Sequence, residues 1–68
     1  MKWAVVIASG EPETIYNALR LANVALKHGT EVSAFMLGLA VDYEALSTEH
    51  FDLKSQAAAF QEQGDFYV

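Results

Sequence analysis

The sequence predicts one small α/β domain of the β-α-β-α-β kind, and three observations predict it. Residues 3 to 8, "WAVVIA", are continuously apolar and β-branched in the middle, which suits a strand. Residues 12 to 28 then carry apolar side chains at helical spacing and end on Gly29. A second strand-like run, "EVSAFMLG", leads through a polar stretch to another short helical stripe and the apolar ending "DFYV". Strands that alternate with helices form parallel sheets joined by right-handed crossovers.

Each element has a local cause. "SGEPET" turns the chain after the first strand. Pro12 suits the first helical position, where its missing N–H costs nothing, and Glu13 favours the positive helix start. Ile15, Ala18, Leu19, Ala22, Ala25 and Leu26 make one apolar stripe, and Tyr16, Asn17, Arg20, Asn23 and Lys27 fall largely opposite. Gly29 supplies the left-handed residue that closes the helix. The segment "LAVDYEALSTEH" reads as a loop holding a short helical turn. Asp52 caps a second helix with Leu53, Ala57 and Phe60 as its buried stripe and Gly64 as its stop. Trp3, Phe35 and Phe60 are the large core candidates. An unbroken apolar strand is best covered on both faces, so the first strand is expected in the middle, with sheet order 2-1-3 and one helix on each face.

Composition bounds the rest. Sixty-eight residues, 53% of them hydrophobic, allow a single domain over 1–68 with a real core. Folding would remove ~4,000 Å² of apolar surface from water, roughly 100 kcal/mol. Ordering the chain at ~1.5 kcal/mol per residue costs about the same. With no cysteine for a disulfide, the balance calls for oligomerisation, a partner or further chain. Nine Asp and Glu against four Lys and Arg, net charge −5, argue against nucleic acid. No 18-residue apolar span is present, so no membrane is expected. The run after Lys2 is too short for a secretory signal, and a cytoplasmic location is the default.

In an open parallel sheet, ligands sit outside the carboxyl ends of the strands. That nominates Ser9 and Gly10 after the first strand and Gly38 after the second as ligand-pocket candidates. "SGEPET" is neither a dinucleotide fingerprint nor a P-loop, and it carries two carboxylates with no lysine. No cofactor is therefore expected. His28 falls in the last turn of the first helix, where a positive charge suits the dipole. His50 lies beside Glu49 and Asp52 without metal-ligand spacing, so no metal site is expected. Ser9 has no histidine near it in sequence, and no catalytic set emerges.

Taken together, "MKWAVVIASGEPETIYNALRLANVALKHGTEVSAFMLG" resembles the start of DsrE/DsrF-like proteins, a family that includes sulfur-relay subunits. The later "FDLKSQAAAFQEQGDFYV" resembles that family's second helix and third strand. The resemblance implies a flavodoxin-like sheet, homo-oligomers and a sulfur-transfer protein partner. In members that move sulfur, a cysteine just past the third strand carries a persulfide, and this chain stops at Val68 without one. The ending within a strand therefore reads as a domain incomplete at its C-terminus. Two functions follow. The first is a DsrE-like role in persulfide transfer, with the active cysteine absent from these residues. The second is a non-catalytic oligomeric subunit or small-ligand binding module on the same fold. An unrelated small α/β enzyme ranks third.

Overall fold

The computed structural model describes residues 2–68. Strand β1 (Lys2–Ile7) leads into helix α1 (Pro12–Lys27) and strand β2 (Glu31–Met36). A 3₁₀ turn (Gly38–Asp42) and a one-turn helix α2 (Tyr43–Leu46) follow, then helix α3 (Leu53–Gln61) and strand β3 (Asp65–Tyr67). All pairing is parallel. β1 meets β2 from Lys2↔Glu31 to Ile7↔Met36, and β2 meets β3 from Ser33↔Asp65 to Phe35↔Tyr67.

The sheet order is β1-β2-β3, so β2 and not β1 is the central strand. This corrects the expected 2-1-3, flavodoxin-like order, and with it the expectation of a helix on each face. Two crossovers of one hand that step the same way across a sheet place both helices on the same side. α1 and α3 accordingly pack on one face and on each other. Ile15 and Leu19 of α1 join Leu53 and Ala57 of α3 over Ile7 and Met36. Ala22 and Ala25 meet Phe60 over Val32 and Ala34. Side chains alternate across a strand, so Val32, Ala34 and Met36 all point at the helices and all are buried.

The caps match the local chemistry. Gly29 has φ +86°; its N–H donates to the Leu26 carbonyl at 3.1 Å and Thr30 N–H to that of Ala25 at 3.0 Å, the Schellman closure of α1. At α3, Asp52 Oδ1 accepts from Ser55 N–H at 3.1 Å, and Ser47 Oγ accepts from Leu53 N–H at 2.9 Å. Lys54 N–H also reaches Ser47 Oγ at 3.4 Å, so three of the four orphan donors are satisfied. Gly64 follows α3 for a different reason. A Cβ there would come within 2.5 Å of the Phe60 ring, which is fully buried, so close approach and not left-handed backbone requires glycine.

Of the three large core candidates only Phe60 is fully buried. Its burial contributes about 1.5–3 kcal/mol. Trp3 keeps 37% of its surface because it lies on an edge strand. Phe35 is half-buried because it points away from both helices, where no layer covers it.

Candidate functional site

The sequence-nominated residues do gather at the carboxyl ends of β1 and β2. Ser9 Oγ accepts the Glu11 N–H at 3.0 Å and so shapes the turn into α1. Gly10 lies against Leu39: a Cβ on Gly10 would stand 2.8 Å from the Leu39 Cβ. Gly38 has φ +57°, and a Cβ there would meet the Ala8 carbonyl at 3.3 Å. The two loops are therefore in contact and closed by Leu39. A crevice at strand ends opens where strand order reverses and neighbouring loops part to opposite faces. In the order 1-2-3 there is no such reversal between β1 and β2.

The larger concavities lie elsewhere. One of about 520 Å³ sits at the amino ends of the strands, lined by residues that include Trp3, Leu26, Thr30, Ser33 and Asp65. The exposed Lys2–Glu31 pair, 3.8 Å apart, stands at its rim. Another of about 270 Å³ runs between α1 and α3, where Asn23 Nδ2 donates to Gln56 Oε1 at 2.9 Å and to the Gln56 carbonyl at 3.1 Å. That pair clasps the two helices.

The remaining polar residues read as structural. His28 is the C-cap residue of α1, its N–H donating to the Val24 and Ala25 carbonyls. His50 neighbours Phe51, with ring centroids 6.5 Å apart. Among the described residues no group of three or more His, Cys, Asp or Glu is gathered that could hold a metal ion. Tyr43 meets Phe66 edge-on at 5.5 Å, packed against the core. Asp52 is held below the usual carboxylate range by the Ser55 hydroxyl and N–H that bond to it, as befits a cap.

The unusual surface is the second face of the sheet. Opposite the helices stand Ala4 and Val6 on β1, Ser33 and Phe35 on β2, and Tyr67 on β3. Leu37 continues the alternation past β2, its N–H donating to the Ile7 carbonyl at 2.8 Å. No element of the described chain packs on these residues. Val6 is 61% exposed, Leu37 50% and Tyr67 51%. Phe35 and Tyr67 stack flat, with centroids 5.0 Å apart and planes at 15°. Lys2 and Glu31 form the row at the amino end, Asp65 stands beside Ser33 in the next row, and the row of Val6, Phe35 and Tyr67 with Leu37 beyond it carries no charge. Exposed single apolar residues are ordinary, but a contiguous apolar sheet face marks an interaction surface.

Sequence reasoning missed this surface because it placed β1 in the middle under two helix layers. The signal was present in "EVSAFM", where Val32, Ala34 and Met36 alternate with Glu31 and Ser33. That is the pattern of a strand covered on one face. No family model, curated protein or solved structure matches the chain. Among the described residues, no helix is long and apolar enough to cross a membrane.

Proposed function

We propose that this chain is a non-catalytic docking subunit whose working surface is the bare sheet face around Val6, Phe35 and Tyr67. The observation that carries the reading is the apolar row of Val6, Phe35 and Tyr67, with Leu37 beyond it, left bare on a chain of net charge −5. Burying it gains about 25 cal/mol per Å² of apolar area. The polar alternatives are weaker: the strand-end loops are closed by Leu39, and the charged groups are exposed or engaged in caps. Persulfide transfer needs a thiolate, and these 68 residues contain no cysteine. Should the DsrE/DsrF resemblance extend to a sulfur-relay assembly, this chain would serve there as a scaffold and the thiol would come from elsewhere.

Hydroxyl-radical footprinting tests the proposal whatever the partner. Oxidation of Phe35, Leu37 and Tyr67 is compared between the purified chain at high dilution and the same chain inside the cells that make it. His50, exposed in the loop before α3, is the internal reference. The expected result is severalfold protection of Phe35 and Tyr67 in the cell, with His50 unchanged. Equal oxidation of Phe35 and Tyr67 in both settings would overturn the reading.

A further inference from the structure

We infer that the free edge of β1 is a homodimer contact, along which two copies join their sheets antiparallel about a two-fold axis through Val5, with Leu21 of α1 meeting its own copy beside that axis. The contact is separate from the bare face and goes beyond the docking reading.

β1 ends the sheet, and its outer edge is unguarded. The residues of a strand turn their N–H and C=O alternately to either side. The Ile7 carbonyl accepts from Leu37 N–H, so Trp3, Val5 and Ile7 turn theirs to the β2 ladder. Those of Ala4 and Val6 point outward, and among the described residues no backbone hydrogen bond outside the ladder reaches them. From Trp3 to Ile7 the edge has no charge, no proline and no bulge, the devices that keep strand edges from pairing. The opposite edge, β3, is only three residues long and carries Asp65.

A second observation lies above the same edge. Tyr16 and Asn23 face α3, where they meet Phe51 and Gln56. Leu21 lies about 150° round the helix from both, on the flank above the outer side of β1. It is 58% exposed. Thr14, Asn17 and Ala18 share that flank, and none of them is charged. Ile15 and Leu19 pack with Ile7, Ala22 and Ala25 pack with Val32 and Ala34, and Val5 touches both groups. Leu21 therefore stands level with Val5.

This wall is self-complementary. Antiparallel pairing centred on Val5 sets Ala4 opposite Val6 of the partner subunit, a pair that exchanges both its N–H···O bonds, and the symmetric pair does the same. Val5 faces Val5 of the partner subunit, and Trp3 faces Ile7 of the partner subunit. On the helix side Leu21 packs on Leu21 of the partner subunit. A foreign strand would satisfy the edge and leave Leu21 bare, whereas a second copy covers both at once. A chain of net charge −5 also meets itself here where its carboxylates are absent. The wall buries on the order of 600 Å² per copy, and the total of ~1,200 Å² is the size at which specific stable interfaces begin. An axis perpendicular to the sheet keeps all the helices on one side. The two bare faces then lie side by side on one six-stranded sheet.

Sedimentation velocity from low-micromolar to near-millimolar concentration, with amide hydrogen exchange at both ends of that range, tests the inference. The expected result is a reversible monomer–dimer equilibrium in which the Ala4 and Val6 amides exchange at least 10-fold more slowly at the high end. Leu21→Glu changes an exposed side chain, so the monomer folds, and it sets two carboxylates together beside the axis. It weakens the dimer on the order of 100-fold and restores fast exchange at Ala4 and Val6. Ala58→Glu, on the exposed side of α3, leaves both readings unchanged. A monomer at every concentration overturns the inference. So does a dimer whose Ala4 and Val6 amides stay fast, or one that survives Leu21→Glu. None of these outcomes alters the oxidation of Phe35 and Tyr67, which tests the docking reading separately.

Discussion

Phe35 and Tyr67 sit directly opposite each other on β2 and β3, their rings stacked at 5.0 Å on a face that no helix covers. β3 is only three residues long, so this pair is a main tie between it and the sheet. A double-mutant cycle with Phe35→Ala and Tyr67→Ala, followed by urea unfolding of the dilute monomer, should give a coupling of about 0.5–1.5 kcal/mol. Phe60→Ala should cost much more, about 3–5 kcal/mol. For a domain this small, that leaves little or no folded protein.

The two helix-ending glycines should respond differently to alanine. Gly29 is left-handed with open space around it, so Gly29→Ala should cost about 1–2 kcal/mol through the backbone alone. Gly64 abuts the Phe60 ring, so Gly64→Ala should cost about 1–3 kcal/mol through overpacking. Trimming the ring with Phe60→Leu distinguishes the two causes. In that background the added penalty of Gly64→Ala should shrink, while that of Gly29→Ala should persist. Thermal unfolding of the four variants measures both.

The elements were legible in the sequence and their arrangement was not. Pro12, Gly29, Asp52 and Gly64 mark helix boundaries through short-range chemistry, and the structure uses each of them there. Strand order has no such local marker. It follows from α1 and α3 meeting on one face, through the Asn23–Gln56 bonds and the edge-to-face Tyr16–Phe51 pair at 5.6 Å. Those contacts join residues more than thirty positions apart. "WAVVIA" reads as doubly buried because Ala4 and Val6 are apolar, yet both face away from the helices. Ser9, Gly10 and Gly38 were placed correctly at the strand ends, since that position follows from any parallel order. The bare face depends on the order itself, and its one trace in the sequence is the alternation in "EVSAFM".

The clasp between the helices is open to a simple substitution. Asn23 gives two hydrogen bonds to Gln56, partly shielded from water. Asn23→Ala should lower stability by about 1 kcal/mol, with most of the loss absent when Gln56 is already alanine apart from its main-chain share. Chemical denaturation of the two single variants and the double variant gives the coupling.

Acid should loosen α3 first. Asp52 is held below its ordinary range by Ser55, so the folded state favours the ionised form. Its contribution is complete above the unfolded-state value and is lost as pH falls through the lower folded value. Asp52→Asn keeps the cap geometry and removes the charge. The urea midpoint of the natural chain should therefore fall more steeply in acid than that of Asp52→Asn. Parallel slopes would mean that the carboxylate does not favour folding.

Everything functional drawn from this chain rests on β2 lying between β1 and β3 with both helices on one side. A nuclear Overhauser spectrum of the isotope-labelled protein tests this most directly. Cross-strand backbone contacts should join Ser33–Phe35 of β2 to Asp65–Tyr67 of β3, and the Phe35 ring should show none to side chains of α1 or α3. Backbone contacts from β1 to β3, or contacts from the Phe35 ring to either helix, would contradict the order and remove the bare face.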